Sequence, residues 1–186
     1  MTDTRMDTAE DVVAFLKAQH ERIKGMFDAV TNTAGDERDA AFVQLRQLLA
    51  VHETAEEEIV HPRAKRELAD GEAVVAARLR EEHDAKQKLA ALEKLDVDSI
   101  EFMSAFREFQ ADVLAHAEAE EHDEFAQLAA ELDDEQLQKM RNTVKTAEAL
   151  APTRPHPGVE SPAANLVAGP FAMMLDRARD AIKGKG

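Results

Sequence analysis

An all-α fold is what the sequence predicts: an antiparallel up-down-up-down four-helix bundle with an additional C-terminal helix and a Pro-rich tail. Three observations carry this. The composition is rich in Ala, Glu, Leu and Gln, with only 7 Gly and 6 Pro in 186 residues, which favours helix over strand. Four long segments repeat apolar residues at spacings of three and four. Short stretches with turn composition separate them, and short connections between amphipathic helices make neighbours antiparallel.

Thr8 followed by Asp11 is a weak N-cap signal, after which Val13, Leu16, His20, Ile23, Phe27 and Val30 recur on one face, predicting a first helix over about 9–31. The stretch "TNTAGDE" is a turn by composition. Phe42, Leu45, Leu49, His52, Glu56 and Ile59 then give a second helix running until Pro62 and the "ADG" at 69–71. A third helix, about 72–95, carries a blurred stripe through Ala76, Leu79, His83 and Ala90. "DVDS" closes it, and Phe102, Phe106, Phe109, Val113, His116 and Glu120 mark a fourth, about 99–131. "LDDEQ" starts a fifth, shorter helix reaching about Leu150. Residues 1–150 thus form one domain, bundle plus fifth helix. Residues 151–186 form a second region, because "APTRPHPGVESPAANLVAGP" holds five of the six prolines and excludes helix. Beyond it, Phe171, Met174, Leu175, Ala178 and Ile182 share a face, so residues 171–182 suit docking on the bundle, a second copy or a protein partner.

The chemistry open to this chain is narrow. It has no Cys, which excludes thiolate metal sites, Fe–S clusters and Cys nucleophiles and fits a reducing compartment. Without Tyr or Trp there is no tyrosyl radical or tyrosinate ligand. Any metal must be held by N and O, and redox work needs a bound cofactor. The start lacks a basic segment followed by an apolar one, and no run approaches the roughly 18 apolar residues of a membrane span, so a soluble cytoplasmic protein is expected. A net charge of −15 repels nucleic acid and anionic membranes, so neither is an expected partner. The acidity lies in the bundle, since residues 151–186 carry five basic side chains against three acidic ones.

The apolar seams are interrupted in register. His20 continues the stripe of the first helix, His52 and Glu56 that of the second, and His116 and Glu120 that of the fourth. An H-x-x-x-E pair puts an imidazole and a carboxylate one turn apart on one face, where both can converge on a single point. The order repeats: His20 precedes His52 by 32 residues, and His83 precedes His116 by 33. In a helical hairpin that distance returns the chain to the same height on the neighbouring helix. Two hairpins then bring four histidines and two glutamates to one level of the core. Buried ionisable groups without partners cost several kcal/mol each, so six of them in register need a common cause. Four imidazoles and two carboxylates able to bridge suit two first-row metal ions, and the set fits iron well.

Those residues resemble the hemerythrin-like (HHE cation-binding) domain family: a His on helix 1, H-x-x-x-E on helix 2, a His on helix 3 and H-x-x-x-E on helix 4, over roughly residues 9–135. The resemblance implies a four-helix bundle holding a non-haem di-iron centre, two Fe ions joined by carboxylates and an oxo or hydroxo bridge. It makes His20, His52, Glu56, His83, His116 and Glu120 the ligands. Oxygen carriers of this kind present a further His one turn along helix 3, where this chain has Gln87. An open coordination position follows, which favours reaction over reversible oxygen carriage. The expected function is a protein that reacts with or senses O2, H2O2 or NO, with a catalase-like, peroxide-reducing activity as its enzymatic form.

Other residues are placed by phase. Glu53 lies about 100° round from His52, near enough to the seam to supply a supplementary carboxylate. His61, nine residues from His52, is about 180° round, so a surface or supporting role is expected. Glu57 and Glu121 are expected in solvent, His122 off the seam, and His156 in the linker. Two other functions compete. A ferritin-like di-iron oxidase needs a Glu-x-x-His on each of two helices, and helices 1 to 4 offer only Glu58 to His61. A metal-free helical interaction module would use the acidic surface and the last helix instead.

Overall fold

The computed structural model describes residues 10–150. The expected linker, the helix at 171–182 and His156 lie outside the described residues. Within them are five helices and no strand. Helix α1 is Val12–Asn32. Helix α2 runs Gly35–Ala55, widens into a π-helical Glu56–Val60 and continues as His61–Glu67. Helix α3 is Gly71–Leu92. Helix α4 repeats the pattern of α2: Ile100–Ala119, a π-helical Glu120–Phe125, then Ala126–Glu131. Helix α5 is Asp134–Leu150 and packs on α1 and α2.

Local chemistry sets the ends. The Asp11 carboxylate accepts from the Ala14 backbone N–H at 2.8 Å and caps α1, and Ser99 does the same for α4 through Phe102 at 3.0 Å. Helix α2 has no cap of its own. Gly35, at φ +58°, turns the chain tightly out of α1, and its N–H is received by the Asp98 carboxylate from the α3–α4 loop at 3.0 and 3.1 Å. Arg38 Nη1 donates to the same carboxylate, tying both loops at this end of the bundle. Helix α2 does not stop at Pro62. In the π turn the His61 N–H reaches back five residues to the Glu56 carbonyl, so the missing Pro62 N–H falls where the hydrogen-bond register is already changing. The helix then ends at Glu67, and Gly71 opens α3 against the backbone of Ala64 and Lys65.

The core has two apolar ends. One holds Phe27, Phe42, Phe102, Phe106 and Phe109 with Leu45, Leu49, Leu89 and Leu92. The other holds Val12, Leu16, Val60, Phe125 and Leu128, closed by Leu137, Met140 and Val144 of α5. Fully burying each such side chain contributes about 1.5–3 kcal/mol. Between the two ends lies a layer of buried His and Glu. No helix of the described residues is long and apolar enough to cross a membrane.

Candidate metal centre

The polar layer is built by all four bundle helices. His20 comes from α1; His52, Glu56 and His61 from α2; Glu82 from α3; and His116, Glu120 and Glu124 from α4. Two groups have ligand atoms within 4.8 Å of one another: His20, His52, Glu56 and Glu120, and His61, Glu82 and Glu120. Glu120 belongs to both. A carboxylate has two oxygens, so one glutamate can serve two adjacent cations.

Most rings are held from behind. The Nδ1–H of His20 donates to Glu121 Oε1 at 2.9 Å, that of His52 to Gln19 Oε1 at 2.7 Å, and that of His116 to Glu81 Oε2 at 2.9 Å. These partners accept only, so they fix the tautomer and turn Nε2 inward, the usual arrangement behind a metal-binding imidazole. Gln19 is oriented in turn by Glu148 of α5, which accepts from its Nε2 at 2.6 Å. His20 Nε2 and His52 Nε2 then face each other at 3.1 Å. Two bare lone pairs at that distance repel, so a positive charge is needed between them, either a proton on one ring or a metal ion.

The carboxylates make the same demand. Both oxygens of Glu56 and of Glu120, one oxygen each of Glu82 and Glu124, and His116 Nε2 are buried without a hydrogen-bond partner. Orphaned acceptors at this density are rare in a folded core and costly unless a cation meets them. Burial, then His20 nearby, lowers the His52 pKa to about 3, keeping that ring neutral as a ligand must be. Burial, then the neighbouring Glu120, pushes Glu56 well above the usual carboxylate range. For Glu120 burial pulls upward too, but the imidazoles of His116 and His20 outweigh it and hold the group well below that range. Burial works against a charged His61, yet Glu82 at 2.5 Å and Glu124 at 3.0 Å prevail and raise its pKa well above the ordinary value. The donor set, imidazole and carboxylate without sulfur, is that of a first-row transition metal, and its residues fit a metal pair.

The structure brings together five of the seven residues expected from sequence. His20, His52, Glu56 and Glu120 form one group, and His116 Nε2 stands 3.3 Å from Glu120 Oε1 beside it. His83 is not with them. It is half-buried, and its Nε2 contacts the Gln87 side chain at 2.6 Å. The buried face of α3 runs through Val75, Arg78, Glu82, Ala85, Lys86 and Leu89. The expected stripe through Ala76, Leu79 and His83 is rotated from it by about 100°, one residue. Glu53 is buried but belongs to neither group.

Three expectations of exposure are corrected. His61, 2 % exposed, is central, because the π turn inserts about one residue into the helical count and swings it round by about 100°. Glu57 is buried as well, in close contact with the Lys86 ammonium. Glu121 is half-buried and positions His20. Sequence reasoning also missed Glu82 and Glu124. Arg78, Glu82 and Lys86 look like a solvated i, i+4 charge row, and Glu124, inside the second π turn, reads as one more member of an acidic run with Glu120, Glu121 and Asp123.

Comparison with known proteins bears on this centre. The model of one protein family, described as the hemerythrin HHE cation binding domain, matches residues 11–128. An uncharacterized hemerythrin-like protein of Schizosaccharomyces pombe is 28% identical over 134 residues, covering 71% of this chain and 66% of that protein. The chain thus spans just under two thirds of the relative's length. A crystal structure of a hemerythrin HHE cation binding domain-containing protein from Mycobacterium kansasii superposes with a TM-score of 0.66 at 20% identity, over 75% of this chain and 85% of the other. That likeness shows the shared fold.

Proposed function

The chain belongs to the hemerythrin HHE cation-binding domain family, and we propose that it is a non-haem di-iron protein that reacts with or senses O2, H2O2 or NO. One observation carries the reading. Two inward-facing imidazole nitrogens 3.1 Å apart stand beside the orphaned oxygens of Glu56 and Glu120, and Glu120 is shared with a second group containing His61 and Glu82. Two cations sharing the Glu120 carboxylate would meet these unsatisfied atoms. His20, His52 and Glu56 would hold one ion, His61 and Glu82 the other, with Glu120 between. His116 and Glu124 complete the ring of donors. A pair of iron ions held there would supply a two-electron couple.

The chain's own contribution is positioning and access. Glu121, Gln19 and Glu81 keep three imidazoles in one tautomer and aimed inward. Beside them lies a void of about 20 Å³, lined by His20, His52, His116, Glu53, Ile23, Leu49 and Val113. It has room for one water-sized molecule and is largely apolar, which suits a diatomic or a peroxide over a larger anion. Phe27, Phe106 and Phe109 seal the core beyond it. His61 enters the centre, but Glu58 belongs to neither ligand group, so the Glu-x-x-His pairing of a ferritin-like oxidase is not formed among the described residues. The test is stopped-flow mixing of the di-ferrous protein with O2, H2O2 and NO. A rapid change in the near-ultraviolet iron absorption with at least one of the three supports the reading, and inertness toward all of them refutes it.

A further inference from the structure

Two openings approach the polar layer. One, a cavity of about 510 Å³ between α1 and α4, carries Lys17 and Lys24 beside Glu21, Glu118 and Glu121, and where it meets the void, at His20, the ring is already held by Glu121, which Lys17 also engages. The other, about 460 Å³ between α3 and α4, is lined by Glu53, Glu81, Asp84 and Asp112 with a single ammonium, Lys88, which is paired with Asp112. Glu53 and His116 line both this cavity and the small void beside His20 and His52. They are therefore the wall between outside and centre. Glu53 is only 7 % exposed, belongs to neither ligand group, and no hydrogen bond engages its carboxylate among the described residues. The Lys86 ammonium acts on Glu53 electrostatically but is itself in contact with Glu57, so the Glu53 carboxylate at the inner end of the acidic cleft stays open to a cation arriving from outside.

We infer that the α3–α4 cleft is the port through which a divalent metal cation reaches the centre, with Glu53 as the transfer ligand at its inner end. The inference rests on the metal-binding reading above. The carboxylates at the mouth raise the local cation concentration, and the low-dielectric walls focus their field inward. Glu53 replaces part of the cation's water shell before His52 and His116 take over. Glu81 links the two stages, since it both lines the cleft and holds His116 Nδ1.

Metal-stripped full-length protein mixed anaerobically with ferrous ion, with uptake followed by competition against a chromophoric ferrous chelator, separates rate from capacity. Glu53→Gln is expected to slow loading about tenfold with unchanged final occupancy. Asp84→Lys at the exposed mouth is expected to slow it several-fold at low ionic strength, the difference fading as salt rises. Lys24→Ala at the opposite opening should leave the rate alone. Full occupancy with unchanged rates in both Glu53→Gln and Asp84→Lys would overturn the port and leave the metal centre standing. Lower final occupancy in Glu53→Gln would make Glu53 a resident ligand and overturn its transfer role. No uptake by the unmodified protein would remove the port together with the reading beneath it.

Discussion

Gln19→Leu is the most informative single perturbation outside the ligand set. Leucine preserves the size of the side chain and the helix propensity of α1 while deleting the acceptor that holds His52 Nδ1–H at 2.7 Å. Two consequences follow. Without metal, a buried N–H loses its partner, which costs about 1–3 kcal/mol of stability. With metal, His52 is free to rotate or change tautomer, and loss of such a supporting partner weakens metal binding about 10–100-fold, or about 1.4–2.7 kcal/mol. Gln19→Glu separates this effect from the link to Glu148. A glutamate still accepts from His52, but it exchanges the 2.6 Å bond to Glu148 for repulsion between two carboxylates. Chelator-competition titrations with ferrous or cobaltous ion would therefore place Gln19→Glu near the unmodified protein and Gln19→Leu well below it. Equal affinity in Gln19→Leu and the unmodified protein would refute the argument that Gln19 aims His52. So would Gln19→Glu binding as weakly as Gln19→Leu.

Three further outcomes follow from the same geometry. His83→Ala should leave metal content unchanged and His61→Ala should lower it, as elemental analysis would read, because α3 turns His83 away and the π turn of α2 brings His61 in. Phe106→Ala removes a ring packed on Phe27, Phe42 and Phe102, and urea unfolding should show a loss of about 3–5 kcal/mol with the metal stoichiometry of the folded protein retained. Gly71→Ala would place a Cβ 2.5 Å from the Ala64 carbonyl oxygen, a clash with backbone that cannot swing aside as a side chain could. A cost of about 1–3 kcal/mol is expected in thermal or urea unfolding, where an ordinary surface Gly→Ala change in a helix would be neutral or stabilising.

Much of this architecture is legible in the sequence, for physical reasons that also explain where legibility ends. The stripes of α1, α2 and α4 are strongly apolar on one side, so His20, His52, Glu56, His116 and Glu120 stand out as interruptions whose phase is fixed by their neighbours. Helix α3 buries Arg78, Glu82 and Lys86, and a polar residue on the inner face is indistinguishable by pattern from one on the outer face. A shift of one residue in phase is enough to put His83 on the expected inner face and Glu82, which the structure buries, off it. The π turns are a second blind spot. A constant 100° per residue is accurate up to Glu56 and fails immediately after it, which is why the sequence pattern turns His61 away from the seam. One signal was present: both π turns begin at the glutamate of an H-x-x-x-E, with further acidic residues directly following. A repeated pile of carboxylates at corresponding places fits a local change of helical register that buries several of them better than it fits two solvated faces.

Iron stoichiometry tests most directly the proposed joining of two metal positions by Glu120. Full-length protein loaded anaerobically with ferrous ion and freed of excess should carry about two iron ions per chain, and Glu120→Ala, verified as folded by its helical circular dichroism, should lose both. A folded, unmodified protein that retains no iron would contradict the account, and so would a Glu120→Ala variant that still holds two.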